Sequence, residues 1–574
     1  MSVNIDVNNK TIKAKQGETI LEALKRNGIK VPTLCRMDGF SPTGACRLCV
    51  VEVEGKSGLI PSCSFPIEKS IKIRTHSPRV IKARKMVVEL LLSNHPDDCL
   101  YCIRNGNCEL QDLAVELNIR ERRISGEKSK IKLDQSSPGI VRDPAKCILC
   151  SRCVRVCEEI QDVSTFDFIN RGNATAIATS MNKDLNFSNC INCGQCVIVC
   201  PTGALHEKTG FDIVQEMLNN KDVQVIAHYS PSVSISLAQE LGLRPGKDLQ
   251  GLLNAALKRM GFTKVFDNSF GADLAIYEQA AELADRINHE ENLPMLSSCC
   301  PGWIKYMEQS HPDMIDQVST TKSPQQILGT LIKGYYAEKA GISPEKIFSV
   351  SITPCTAKKF EAQREEMTHK GVSDIDHVIT TRELIKLIHL YGIDIHSLDE
   401  ELADNPFNMR SSAAKLVAVS GGVSEAIART LNFILTGKEL ASLKITKLRS
   451  SKHQKSYSLK IGKKNVNFIA VSGLKNANKI LSDLRDGKSK ADFIEIMACP
   501  GGCINGGGQP FCNDEKVQKS MIKAIYDMDE KEAIKVSHKN PQVLKLYSEY
   551  LNEPLSSVCK KLLHTRYKER DVLL

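Results

Sequence analysis

The chain has 574 residues, 42% hydrophobic and 25% charged, the composition of a globular protein too long for one core. No apolar run approaches a membrane span, and the alternating start Met1-Ser-Val-Asn-Ile-Asp-Val7 reads as a strand and not a signal peptide, so a cytoplasmic protein off the membrane is expected. The formal net charge of +10 omits metal-bound thiolates and no basic patch interleaved with aromatics points to nucleic acid; the informative number is 22 cysteines, which in a long cytosolic chain imply metal or catalysis in place of disulfides.

Residues 1–80 open with strands at Val3–Val7 and Thr11–Ala14 around a turn at Asn8-Asn9. A helix follows, with Thr19 as N-cap, Glu22 closing a capping box and Gly28 at its end. Cys35, Cys46, Cys49 and Cys63 then come as C-x10-C-x2-C-x13-C around a strand at Val50–Val53. Four such thiols suit zinc or a 2Fe–2S cluster, and wide spacing on this order of elements favours the cluster. The order resembles the β-grasp of a plant-type ferredoxin. Its spacing looks like the domain at the front of the large complex I iron–sulfur subunit and of some hydrogenases.

Residues 81–126 begin with an apolar helix at Met86–Leu92. His95, Cys99, Cys102 and Cys108 follow as H-x3-C-x2-C-x5-C. Spacing alone allows zinc; the position after the first domain resembles a His-ligated 4Fe–4S module, where a neutral imidazole raises the potential. Residues 127–209 start in a polar connector, 125–143, broken at Ser136-Ser-Pro-Gly139. Cys147, Cys150, Cys153 and Cys157 form C-x2-C-x2-C-x3-C, repeated at Cys190, Cys193, Cys196 and Cys200. This is the bacterial two-cluster ferredoxin signature, in which each fourth Cys crosses over. Hence Cys147, Cys150, Cys153 and Cys200 form one 4Fe–4S ligand set, and Cys190, Cys193, Cys196 and Cys157 the other. Glu158 stands where proline is usual.

From 210 to 574 the pattern is α/β. Strands are expected at Val223–Ala227, Ile347–Ile352, His377–Ile379, Val466–Val471 and Phe493–Met497. Cys300, Cys355 and Cys499 each lie just past a strand, where open α/β sheets gather their ligand loops. Five of the eight residues from Gly501 to Gly508 are glycine, so the backbone there is read as approaching something bulky, a large inorganic cofactor. Residues 513–574 read as helical and charged, and carry no assigned chemistry.

Cys299, Cys300, Cys355, Cys499, Cys503, Cys512 and Cys559 remain outside these accessory sites. Five of them fall in Ser297-Ser-Cys-Cys300-Pro-Gly-Trp303, Thr353-Pro-Cys355-Thr-Ala-Lys358-Lys-Phe-Glu361 and Met497-Ala-Cys499-Pro-Gly-Gly-Cys503. These motifs resemble the three H-cluster motifs of FeFe-hydrogenases, and the domain order over essentially the whole chain resembles the clostridial type. The implied fold is multidomain α+β: a β-grasp 2Fe–2S domain, a small His/Cys 4Fe–4S domain, a bacterial two-cluster ferredoxin domain and a large α/β H-cluster domain. That last domain has two sheets flanked by helices and a C-terminal helical segment.

The resemblance also implies the site. Cys300, Cys355, Cys499 and Cys503 would hold a 4Fe–4S cubane. Cys503 would bridge it to a two-iron subsite bearing CO, cyanide and an azadithiolate. Lys358 would donate to a cyanide. Ser230, Pro231, Ser232, Gln325, Thr353 and Met497 would line the subsite, with Ser232 a better backbone donor than Pro231, which has no N–H. Cys299 would move protons. Read without the motif, Cys299 is a buried small hydrophobe and Lys358 a solvated surface lysine. Cys512 and Cys559 read as ordinary thiols. The reaction would be 2H⁺ + 2e⁻ ⇌ H2, with soluble ferredoxin or a similar carrier as partner and maturation factors building the cluster. A monomer is expected.

Three positions depart from the family. Its proton relay runs from Cys299 through a glutamate, then Ser319, Glu282 and a surface Arg286; here the glutamate position is Gln279. Glu278 or water would then take the step, or relay is slower. Thr353 stands where Met is usual and Ser230 where Ala is usual, which points toward a bias for H2 oxidation. Two rivals stand against this reading. A complex I-like electron carrier leaves Cys299, Cys355 and Lys358 unexplained. An iron–sulfur assembly protein lacks the 2Fe–2S front.

Overall fold

Thr19 caps the helix Ile20–Arg26 by accepting from the Glu22 N–H at 3.3 Å, and the Glu22 carboxylate accepts from the Thr19 N–H at 3.0 Å. This reciprocal pair satisfies two N–H groups that a helix start leaves open. In this computed structural model, which describes residues 2–128, 131–369, 371–512 and 514–572, the helix shares a core with a five-stranded mixed sheet. The strand order is Lys10–Lys15, Ser2–Val7, Lys72–Arg74, Val50–Val53 and Ile60–Pro61. Ile5, Ile20, Leu24, Val51 and Ile73 form that core.

The helix Pro78–Asn94 ends at His95. Its buried Arg84 donates to the Leu48 and Val50 carbonyls at 3.0 and 2.9 Å, tying the helix to the sheet. The next module carries its duplication in the backbone. Leu149 and Ser151 in the first cysteine run, and Asn192 and Gly194 in the second, all have positive φ, between 54° and 71°. Left-handed residues at matched places curl each loop before a short helix, Arg152–Arg155 or Gln195–Val199. The strand Ile140–Arg142 pairs antiparallel with Leu205–Glu207 and closes the module. That strand lies inside the stretch read from the sequence as connector, where only three apolar-flanked residues mark it.

The large domain holds two four-stranded sheets. The first runs Lys264–Asp267, Gln224–Tyr229, Ile347–Thr353, His377–Thr380, all parallel. The second runs Met295–Leu296, Phe493–Met497, Lys464–Ser472, Gln454–Ile461, with only the last pair antiparallel. Two of these strands are absent from the sequence reading. Lys264–Asp267 is four residues long, and Gln454–Ile461 is a polar edge strand.

The helix Ser269–His289 joins the two halves. Phe270 and Leu274 pack with Phe266 and Leu328 beside the first sheet, and Ile276, Ala280 and Leu283 pack with Phe468 and Phe493 of the second. The C-terminal segment is helical at Glu515–Lys531, Pro541–Leu546 and Ser557–Leu562. No helix among the described residues is long and apolar enough to cross a membrane.

Candidate active site

The strand ends Tyr229, Thr353, Leu296 and Met497 lead into loops that meet between the two sheets. There Cys300, Cys355, Cys499 and Cys503 line one cavity with about 890 Å³ of empty space. Cys299, Lys358, Gln279 and Gln325 line it as well. So do Ser230, Pro231, Ser232, Thr353 and Met497. The remaining wall is mostly apolar, from residues such as Ala272, Ile276, Val417 and Val423, so water inside finds few partners. Ser232, Cys300 and Ser323 are the N-caps of the helices Val233–Glu240, Pro301–Ser310 and Pro324–Leu331. Helix starts carry partial positive charge, so these three favour an anionic occupant.

The thiols need a metal to ionise. Burial, with Cys300 beside it, pushes Cys355 up to about 12. Burial and the other thiols push Cys499 and Cys503 well above the ordinary range. Bound iron reverses that, since a coordinating thiol gives up its proton. Among the described residues no three His, Cys, Asp or Glu side chains converge as they would around a lone ion. The four thiols instead ring a space of cluster size.

Gly501 and Gly502 take positive φ, and Gly502 and Gly506 line the cavity as the sequence reading expects; the loop's other side is close-packed as well. A Cβ on Gly506 would lie 2.3 Å from the Pro354 carbonyl oxygen, and on Gly507 2.3 Å from that of Cys193. On Gly508 it would meet the Thr380 side chain at 2.8 Å. The close neighbour is therefore protein from other segments, packed against the loop's back. Side chains of the preceding module hold the same face: Gln161 donates to Ala498 O at 2.9 Å, and Gln195 to Asn505 O at 3.0 Å. Thr356 reaches Asn192 O at 2.7 Å.

Lys358 is not a solvated surface lysine. Its ammonium donates to Glu361 at 2.8 Å and to the Cys299 carbonyl at 3.4 Å. Burial opposes its charge, but Glu361 outweighs burial and holds the ammonium above its usual pKa. Gln325 donates to Glu361 at 3.3 Å and accepts from Ser351 at 2.8 Å. Glu361 closes the Thr353–Glu361 motif, and its i,i+3 spacing from Lys358 is the sequence signal for this pair.

Cys299 faces the cavity, and burial, then Cys300, push its thiol up to about 12. It stays protonated at neutral pH, as a proton donor must. Gln279 is 2% exposed, and its Oε1 has no partner. Behind it, Ser319 donates to Glu282 at 2.7 Å, and Arg286 donates to the same carboxylate at 2.7 Å. Arg286 is not the surface residue expected. Only 9% is exposed, because it also donates to the carbonyls of Asn292, Gln317 and Val318. Glu278 points away from the cavity, to Tyr547, Leu555 and His564. The Ser232 hydroxyl is buried without a partner. Among the described residues the Ser230 and Thr353 hydroxyls make no hydrogen bond, to their own backbone or elsewhere, and both line the cavity.

The other cysteine groups also gather. Cys147, Cys150, Cys153 and Cys200 line a second cavity with about 450 Å³ of empty space, the crossover grouping expected from the repeat. Cys157, Cys190, Cys193 and Cys196 crowd one another closely enough that each thiol opposes ionisation of the next. In the first domain Cys35, Cys49 and Cys63 are buried and Cys46 partly so. His95 is buried with Nδ1 unpartnered; of the three cysteines that follow it, Cys99 is exposed and Cys102 and Cys108 are partly covered. Cys512 and Cys559 lie apart, their thiols turned to backbone carbonyls.

Residues 223–507 match the family "iron only hydrogenase large subunit, C-terminal domain". Residues 1–78 match a 2Fe-2S iron-sulfur cluster binding domain, and 84–123 the NADH-ubiquinone oxidoreductase-G iron-sulfur binding region. Residues 137–206 match the ferredoxin-like domain of NADH-quinone oxidoreductase subunit 3, and 515–570 the iron hydrogenase small subunit. The chain is 41% identical to the NADP-reducing hydrogenase subunit HndD of Solidesulfovibrio fructosivorans, over 100% of both. It is 35% identical to iron hydrogenase 1 of Clostridium pasteurianum, over 98% of this chain and 100% of that one. An apo FeFe-hydrogenase HydA1 structure from Chlamydomonas reinhardtii superposes on 63% of this chain and 99% of its own, at 35% identity and TM-score 0.58. The chain belongs to the iron-only, or FeFe, hydrogenases.

Proposed function

We propose that this hydrogenase interconverts H2 with protons and electrons at an H-cluster held in the 890 Å³ cavity. One observation carries the reading: four thiols from three motifs, an ammonium and a protonated spare thiol meet in one apolar space. The bound group supplies the iron at which the H–H bond is made or broken. Cys300, Cys355, Cys499 and Cys503 would hold it, and the fit rests on their ring, the helix N-termini and the unpartnered hydroxyl of Ser232. Lys358 would turn its ammonium to a cyanide, a charge-assisted contact. Cys299 would pass a proton toward Gln279, and Ser319 and Glu282 would carry it outward, with Arg286 holding the Glu282 carboxylate.

Electrons would pass through one 2Fe–2S and three 4Fe–4S centres, held by the ligand groups named above. With the H-cluster that makes roughly twenty irons. Ferredoxin or a similar soluble carrier is the proposed partner. The full-length likeness to a subunit named NADP-reducing favours a second reading, in which a partner subunit takes the electrons to NADP. Protein made with maturation factors should show CO and cyanide infrared bands and catalyse both H2 uptake and evolution. Iron well under fifteen in active material, or no such bands, would count against the reading. Reduction of NADP by H2 only in the presence of a co-purifying subunit decides for the second partner.

A further inference from the structure

Glu278 precedes Gln279 on the central helix and faces the opposite way. It is wholly buried, and its oxygens accept from the Tyr547 hydroxyl at 2.6 Å and the Leu555 N–H at 3.0 Å. His564 Nε2 lies 3.0 Å from the same carboxylate. Among the described residues no Lys or Arg pairs with Glu278; His564 is its one ionic partner. The other ring nitrogen, Nδ1, lies 2.8 Å from Thr320 Oγ1. Thr320 in turn holds Glu282: its N–H donates to both carboxylate oxygens, at 3.1 and 3.2 Å, and its Oγ1 lies 3.4 Å from Oε1. Glu282, Thr320, His564 and Glu278 are thus joined by unbroken hydrogen bonds.

Glu282, Thr320 and His564 also line a cavity at the surface, with about 610 Å³ of empty space. The charged and titratable groups around it are Asp285, Arg286, His289, Glu291 and Lys560. Arg286 is already saturated by Glu282 and three carbonyls, and its guanidinium does not release protons near neutral pH. A histidine does. A buried carboxylate favours a positive partner, and among the described residues His564 is the ionic partner placed beside Glu278.

We propose that His564 is the proton-relay residue at the outer end of the exit, exchanging protons with Glu282 through Thr320 while Glu278 supports its imidazolium. In H2 oxidation the carboxyl proton of Glu282 passes to Thr320 Oγ as the Thr320 hydroxyl proton passes to His564 Nδ1. Glu282 is left a carboxylate and His564 an imidazolium beside the Glu278 carboxylate. Water in the surface cavity then takes the proton, and the ring is neutral again. H2 evolution runs the same transfers backward. The C-terminal segment, which carries His564, Tyr547 and Leu555, would thereby take part in proton transfer.

This inference rests on the hydrogenase reading and on Glu282 being in the exit, so Glu282→Gln is the control. Matured protein is assayed for H2 oxidation across about pH 5 to 8, where histidine titrates. His564→Gln should lower turnover by about tenfold, less than the roughly 10² of a lost acid–base group because water in the surface cavity still reaches Glu282. It should also remove one inflection from the pH profile. Added imidazole should restore much of the rate to His564→Ala, since the cavity is open to solvent. Thr320→Val should reproduce the loss without rescue, while Thr320→Ser should keep the wild-type profile. An unchanged pH profile in His564→Gln and Thr320→Val, with Glu282→Gln inactive, overturns the proposal. A loss in His564→Ala that imidazole does not restore, with Thr320→Val silent, reduces His564 to packing and overturns it too. If Glu282→Gln itself is fully active, the underlying exit is wrong and not merely its outer end.

Discussion

The Lys358 ammonium sits 2.8 Å from the Glu361 carboxylate, one helical turn away, beside a mostly apolar cavity wall. Burial alone would lower the lysine's pKa; the carboxylate reverses the sign. Glu361→Gln keeps the shape and removes the charge. Lys358 should then lose its proton at a lower pH, and turnover should fall on the alkaline side before that of the parent. Cyanide infrared bands followed against pH report this directly; bands and alkaline limit identical to the parent's would mean Glu361 does not hold the lysine.

Cys299→Ala should keep the infrared bands of the bound cluster and lose turnover by a factor of about 10² to 10⁴, the usual weight of a general acid. The Cys299 thiol faces the cavity protonated, and alanine removes only its Sγ. Near-normal turnover would send the proton by another route.

Gln279 is buried with an unpartnered carbonyl oxygen, between the cavity and Ser319–Glu282. An amide does not readily accept and release a proton at neutral pH. Gln279→Glu should therefore raise turnover and reduce the solvent isotope effect. If both stay at parental values, water already bridges the gap.

Ser230 and Thr353 bring two unbonded hydroxyls to the cavity. Donors near a cluster tune its potential. Ser230→Ala with Thr353→Met should lower the ratio of H2-oxidation to H2-evolution rates. An unchanged ratio and unchanged infrared redox potentials would free these residues of any part in direction.

Glu207 is a stability element. Burial works against its charge, yet Arg382, at 2.9 and 3.1 Å, holds its pKa down to about 2. A depressed carboxylate stabilises the fold above its unfolded value near 4.5, and that contribution disappears as pH falls toward 2. The gap amounts to about 3 kcal/mol. Urea unfolding of the parent and Glu207→Gln, followed by circular dichroism, should differ by about that much near neutral pH and converge only as pH falls to about 2. A constant difference across that window would locate the effect in packing.

The gathering of the cysteine groups was legible because residues that share a site on one loop lie close in sequence, with spacing set by that loop. The capping box at Thr19 and the crossover of Cys200 were legible for the same reason. What was not legible depends on partners far along the chain. Arg286 is buried by carbonyls thirty residues on. Glycines 506–508 answer to Pro354, Cys193 and Thr380. The terminal helices read as plain charged surface, since nothing within 513–574 shows that Tyr547 and His564 close on Glu278.

Gly507 meets the Cys193 carbonyl with no room for even a methyl group. On the proposed assignment Cys193 and Cys499 would belong to neighbouring ligand sets, and this contact would fix the last gap an electron crosses. Tunnelling falls exponentially with distance, and the missing side chain acts as a spacer of zero thickness. On that assignment the rate of the final hop would be set by a residue that binds no metal, and enlarging it would slow electron delivery while leaving every proposed ligand in place.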